Sequence, residues 1–345
     1  MFSTDRVEEL LEAGYRDQAY PGAVWSVGGL DGVRSAGVVG VLDPAQPDNP
    51  MLPDTVFDVA SLTKVLAVWA SIGVQVTAGR LRLDQRLDGF WPEVTGRPLG
   101  QVTAHQLLTH SAGLPLRANL KNLYGTDPAA IRVGVLAEAL QRPPGEAVDY
   151  TDRAALVLGY LVEYLSGQPL DRLVADRVWD PLGMDSTRFG PLPAEIAARC
   201  APTEFDADAG VRIKGTPHDY SARLLGVCGI AGAFSTAADL GRFLQYMLQA
   251  TSIPVASFGA GWVTASLSVQ TGDLAPPRGL FWQPAPGSAP EHDVWVHYGF
   301  TGTAMWISPS LGRWATLLTN KLYYTRNRDP LMGIRDQFRE IAFVR

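Results

Sequence analysis

Ser61 and Lys64, in Ser61-Leu62-Thr63-Lys64, are the residues of this chain best placed to do chemistry. They stand at i and i+3. If Ser61 opens a helix, both side chains lie on one face about one turn apart, and the lysine stem can curl back to the serine hydroxyl. Burial and the positive end of the helix dipole both disfavour a charged lysine there. A neutral amine would accept the serine proton and make Ser61 a nucleophile. The Ser61 N–H, free at the helix start, could hold a developing oxyanion. Val56-Phe57-Asp58-Val59-Ala60 precedes the motif, and Val65, Leu66, Val68 and Trp69 follow it. That predicts a largely buried helix, a poor place for an idle lysine. Of 29 basic residues, only Lys64, Lys121, Lys214 and Lys321 are lysines.

Two further segments could complete a site. Tyr150-Thr151-Asp152 follows the loop Pro143-Pro144-Gly145-Glu146. A tyrosine presented there, near Lys64, could relay protons. The plainer reading is a tyrosine packed on the core and Asp152 serving as a helix N-cap. His297-Tyr298-Gly299 closes a predicted strand. Its edge could supply a second oxyanion donor, the Phe300 N–H, and a histidine beside the serine. Such a histidine, taken alone, is more often structural. Trp262, Phe281 and Trp282 lie in a Pro-rich segment before that strand. The segment is expected to overhang the cleft, with Trp282 shaping an apolar acyl or alcohol pocket.

These residues need elements to hold them. Val7, Leu10, Leu11 and Tyr15 repeat at helical spacing, predicting a helix over 4–18. Ala23–Val27 and Val33–Val39 read as strands about a Gly-rich turn. From Ser61 to about residue 250 the pattern is mainly helical. Candidates are Ala104–Thr109, Ile131–Gln141, Asp152–Ser166, Leu170–Trp179 and Thr236–Gln249, the last capped by Ser235. Residues 251–292 read as loop. Strands resume at Val294–Tyr298, Thr303–Ile307 and Trp314–Thr319, and Asp329-Pro330 opens a final helix with Asp329 at the N-cap. The expected fold is α/β: an antiparallel sheet built from both termini (1–60 and 251–345) and flanked by helices, with a mostly helical inserted region (61–250). The active site falls in the cleft between them.

Composition narrows the function. The charge is 29 − 35 = −6, and 46 % of the 345 residues are apolar. An acidic chain offers no electrostatic footprint for nucleic acid. No run reaches the roughly 18 uninterrupted apolar residues of a membrane span. Residues 1–6 have neither a basic nor an apolar targeting pattern, so a cytoplasmic protein is expected. Cys200 and Cys228 form no CxxC, and the histidines have no metal-ligand spacing, so neither metal nor cofactor is expected. There is no G-x-S-x-G elbow and no G-x-G-x-x-G.

At this point the sequence resembles the serine hydrolases related to class C β-lactamases, which include DD-peptidases and family-eight carboxylesterases. The resemblance rests on Phe57–Lys64, Leu107-Leu108-Thr109-His110-Ser111-Ala112-Gly113-Leu114, Gly232–Leu240, and His297–Thr303 running into Trp306–Pro309. Weaker echoes are His218-Asp219, Arg278-Gly279-Leu280-Phe281-Trp282 and Leu318-Thr319-Asn320. It implies that Ser61 forms the acyl-enzyme, that Lys64 and Tyr150 share acid–base work, and that the Ser61 and Phe300 N–H groups form the oxyanion hole. It implies a structural role for His110. Two departures stand out. Asp152 replaces the Asn usual in the β-lactamase members; a carboxylate cannot donate to a substrate carbonyl, and near Lys64 it favours the ammonium. His297 replaces the lysine of their Lys-Thr-Gly, removing a cation for a substrate carboxylate. Both lean away from efficient β-lactamase or DD-peptidase activity and towards ester hydrolysis of a small acyl compound. Acyl transfer to an alcohol or amine is the alternative, and a catalytically silent binding protein is a third reading.

Overall fold

The computed structural model describes residues 2–116, 119–250 and 257–344. Its strands are β1 (Gly22–Gly29), β2 (Gly32–Gly40), β3 (Phe57–Asp58), β4 (Arg188–Phe189), β5 (Phe205–Asp206), β6 (Val211–Arg212), β7 (Ala233–Ser235), β8 (Gln283–Pro284), β9 (Trp295–Tyr298), β10 (Ala304–Ser308) and β11 (Arg313–Thr319). Six of them form one sheet in the order β2-β1-β11-β10-β9-β8. Every described pairing in it is antiparallel. The two termini meet at its centre, where β1 pairs with β11 from Ala23↔Thr319 to Gly29↔Arg313. The fold is thus the expected α/β arrangement. The Pro-rich segment adds the edge strand β8, where a proline removes no ladder bond that the sheet needs.

Side chains of β1, β10 and β11 alternate between two buried faces. Ala23, Trp25, Val27, Ala304, Trp306, Ala315 and Leu317 face one side. There they meet Val7 and Leu11 of the N-terminal helix (Thr4–Arg16) and Leu331, Phe338 and Ile341 of the C-terminal helix (Asp329–Ala342). Phe338 lies 6.3 Å from Trp25 and 5.6 Å from Trp306 between ring centres. Burying each such side chain contributes about 1.5–3 kcal/mol. Val24, Met305, Ile307, Trp314 and Leu318 face the other way and join the core of the helical region. The helix Ala237–Gln249, which the sequence assigns to the inserted region, lies against β1 and β11 on that face.

Caps explain where several helices differ from expectation. Thr236, not Ser235, caps Ala237–Gln249, accepting from the Asp239 N–H; the Ser235 hydroxyl bonds Thr187 instead. The helix expected at 131 starts at Pro128, because Asp127 caps it and proline suits the first turn. The C-terminal helix has Arg328 rather than Asp329 at its N-cap. Asp152–Ser166 runs as predicted, capped by Thr151. The 18 residues Ala60–Thr77 are apolar enough, by mean hydropathy 1.3, to pass as a membrane span, yet 83 % of them are buried inside the protein.

Candidate active site

The turn that presents Ser61 is pinned from several sides. The Val59 N–H donates to Ala233 O at 3.1 Å, and the Ala233 N–H donates to Thr63 Oγ1 at 3.1 Å. Asp58 is buried, and its two oxygens accept from the Ala60 N–H (2.8 Å) and the His218 N–H (2.6 Å). Burial pushes this carboxyl above its ordinary range, against those backbone donors. Ala60 has φ +47°, a left-handed conformation that costs a side-chain-bearing residue about 1–2 kcal/mol. The Asp58 side chain holds it there, at the start of the short helical turn Ala60–Leu62 that carries Ser61 and leads into the helix bearing Lys64.

Lys64 occupies the next turn, with its side chain fully buried. Its Nζ donates to Ser61 Oγ at 2.9 Å and to Ile230 O at 2.8 Å, and lies 2.8 Å from Asp152 Oδ1. Three donors therefore have three acceptors. Burial pushes the Lys64 pKa down, but the Asp152 carboxylate and the neighbouring Tyr150 push it up and prevail, leaving it above the usual 10.5. Lys64 is an ammonium at neutral pH. The expectation that burial leaves it uncharged is corrected here: Asp152 and Tyr150 together outweigh burial.

Tyr150 stands on the cleft wall, 40 % exposed. Lys64 Nζ lies 5.5 Å and the Arg278 guanidinium 5.7 Å from its ring centre. The His110 ring packs on it at 4.6 Å and stacks on Phe281 at 5.2 Å. His110 Nδ1 accepts from the Thr151 N–H (3.4 Å), and burial keeps the ring neutral. His110 thus fixes the residue after Tyr150 as well as its own turn. Phe281, at φ +62°, donates its N–H to Leu108 O and accepts from His297 Nδ1 at 2.6 Å. That bond puts the His297 proton on Nδ1. Burial drives the His297 pKa down to about 3, with help from the Lys64 and Arg278 charges, so the ring is neutral.

The turn after β9 reaches the Ser61 segment through two hydroxyls. Thr301 Oγ1 donates to Asp58 O at 2.6 Å and Thr303 Oγ1 to Val59 O at 3.1 Å. Gly299 makes this approach possible. A Cβ there would sit 2.0 Å from Thr303 Oγ1 and 2.5 Å from Val59 O. Among the described residues, neither the Ser61 nor the Phe300 N–H has an acceptor in the protein.

Ser61, Tyr150, His297, Gly299 and Phe300 line one cleft of about 400 Å³, and Lys64 and Asp152 stand behind Ser61. Trp282 is not among them. It is fully buried, edge-on to Trp69 at 6.3 Å, because the left-handed Phe281 turns the chain into the core. Trp262 likewise packs on Trp69, at 5.5 Å. The expected Trp282 contribution to a substrate pocket is therefore corrected; Arg278, Gln283 and Pro286 are what this segment brings to the cleft. The sequence reading also missed Lys321, Arg328 and Arg335 on the far wall. The scarcity of lysine was the one signal pointing to Lys321.

This fold and this site define a serine hydrolase. The family model described as Beta-lactamase matches residues 6–337, and the chain belongs to that family. It is 28 % identical over 315 residues to a protein of Escherichia coli (strain K12) described as "Putative D-alanyl-D-alanine carboxypeptidase", covering 77 % of this chain and 69 % of that one. The structure resembles a class C beta lactamase from Rhodobacter sphaeroides, with TM-score 0.76, 18 % identity, and 97 % and 99 % of the two chains covered. It also resembles EstCE1, described as a hydrolase with promiscuous acyltransferase activity, with TM-score 0.75, 20 % identity, and 99 % and 98 % covered.

Proposed function

We propose that the protein hydrolyses a carboxylic ester or related small acyl compound through an acyl-enzyme on Ser61. The Ser61 Oγ–Lys64 Nζ contact at 2.9 Å, inside the Asp152 ion pair, carries this reading. Ser61 Oγ attacks the carbonyl carbon, and the carbonyl oxygen becomes an oxyanion facing the Ser61 and Phe300 N–H groups. Lys64, already protonated, steadies the charge that builds on Oγ. In this step Tyr150 acts as the phenolate: it takes the serine proton, becomes the phenol, and gives that proton to the leaving oxygen as the carbonyl carbon–oxygen bond breaks. Water then attacks the ester formed on Ser61, giving up its proton by the reverse path and freeing the serine. Lys64 is not the first proton acceptor, since Asp152 opposes the loss of its own proton.

Neutral His297 itself brings no positive charge to Ser61; the cations of the cleft are Arg278 and, on the far wall, Lys321, Arg328 and Arg335. Acyl transfer is the second reading. The likeness to EstCE1 favours it, and the same acyl-enzyme would serve if an alcohol or amine replaced water. A fluorophosphonate probe tests the shared step. It is expected to label the wild-type protein and not Ser61→Ala; equal labelling of both, or of neither, refutes it. Adding alcohol or amine acceptors to a p-nitrophenyl ester assay then separates the two readings by where the acyl group ends.

A further inference from the structure

The cleft carries more positive charge than acyl chemistry at Ser61 uses. Arg278, Lys321, Arg328 and Arg335 line it, against the single carboxylate of Asp336. Among the described residues none of these four cations has an ion-pair partner within 4.0 Å. Lys321 and Arg335 are more than nine-tenths buried. The Lys321 ammonium donates only to the carbonyls of Thr325, Arg326 and Asn327, at 3.0–3.3 Å. Arg335 uses Nη2 on the Gly299 and Thr303 carbonyls, while its Nε is buried without a partner. Phe300 sits among these charges, with Lys321 5.3 Å and Arg328 5.1 Å from its ring centre. Buried cations without counter-charges are costly, and a bound anion removes the cost.

We propose that this wall of the cleft binds a phosphate-class dianion carried by the acyl substrate, with Arg328 and Arg335 as its hydrogen-bond donors and Lys321 as a fixed positive charge. The inference rests on the acyl chemistry proposed for Ser61 and names the substrate class for it. The charge count favours a dianion. Four cations less Asp336 leave +3, so one carboxylate would leave two charges bare. A phosphate monoester carries close to two negative charges and three acceptor oxygens, which suit guanidinium donors. Crowding agrees: burial first, then Arg335, Arg328 and Arg326, push the Lys321 pKa down to about 8, a strain that an anion would relieve.

The test is inorganic phosphate binding to Ser61→Ala, followed by calorimetry at constant ionic strength, with acetate as the monoanion control. Phosphate is expected to bind about ten-fold more tightly than acetate, and Arg328→Ala in the same background to weaken it about ten-fold. NMR of the lysine Cε is expected to show the Lys321 titration moving up from about 8 as phosphate binds. Arg328 is exposed, so its loss does not threaten folding as that of buried Arg335 would. Acetate binding as tightly as phosphate, phosphate binding unchanged by Arg328→Ala, or no binding would each overturn the proposal. Because binding is read where acylation cannot occur, phosphate binding without fluorophosphonate labelling of the wild type would sink the hydrolase reading alone. Labelling without phosphate binding would sink this one alone.

Discussion

Asp152→Asn removes the carboxylate that keeps Lys64 charged. At 2.8 Å the pair is worth about 6 kcal/mol for an effective dielectric constant of about 20. The Asp152 side chain is 51 % exposed, and solvent screening on that scale roughly halves the figure, to about 3 kcal/mol or about two pKa units. With the carboxylate gone, burial is the largest remaining influence on Lys64, and it acts downward. Lysine Cε NMR is a practical assay, because the chain has four lysines. Wild-type Lys64 is expected to stay protonated beyond pH 10.5, and the variant to titrate at least about two units lower. Once uncharged, Lys64 becomes a second proton acceptor, so the pH at which acylation begins falls as well. The sign also fixes a stability effect. The folded-state pKa is raised, so the pair's stabilisation is complete below the unfolded value of 10.5 and is lost as pH rises through the folded value. Identical Lys64 titrations in the two proteins, or a wild-type Lys64 that titrates near neutrality, would refute the reasoning.

Other perturbations probe the positioning. Gly299→Ala forces its Cβ against Thr303 Oγ1 and Val59 O and displaces the Phe300 N–H, so the acylation rate measured by stopped flow is expected to fall about 10²–10³-fold with the fold intact by circular dichroism; a wild-type rate would remove Phe300 from the oxyanion site. Trp282→Ala leaves a cavity against Trp69 and is expected to cost about 3–5 kcal/mol in urea unfolding without changing ester preference; a changed preference would restore Trp282 to the pocket. Glu204 is held down to about 2, chiefly by its bonds to Arg326. Its contribution to stability is present above pH 4.5 and lost as pH falls towards 2, so the gap in stability between wild type and Glu204→Gln is expected to close over that range. A gap that stays constant would contradict it.

The parts of this architecture governed by local pattern were legible in the sequence. The spacing of Ser61 and Lys64 places both on one turn, and alternation in β1, β10 and β11 gives the sheet. The loop before Asp152 presents Tyr150, and the Asp152 influence on Lys64 follows from charge alone. What escaped was set by backbone conformation and by contacts between distant segments. Trp282 looked like a pocket residue because nothing local announces that Phe281 adopts φ +62° and turns the chain into the core. The charge on Lys64 depended on how closely Asp152 approaches, a distance fixed by packing between two helices. Lys321, Arg328 and Arg335 are spread over fifteen residues; only the packing of the C-terminal helix against β11, and the Arg335 bonds to the Gly299 and Thr303 carbonyls, bring all three to the cleft.

The most direct test is the mass of the protein quenched during turnover of p-nitrophenyl butyrate. One butyryl group, mapped by peptide fragmentation to Ser61 and missing from Ser61→Ala, is the predicted result. A butyryl group on another residue, or turnover that persists in Ser61→Ala, would contradict the account.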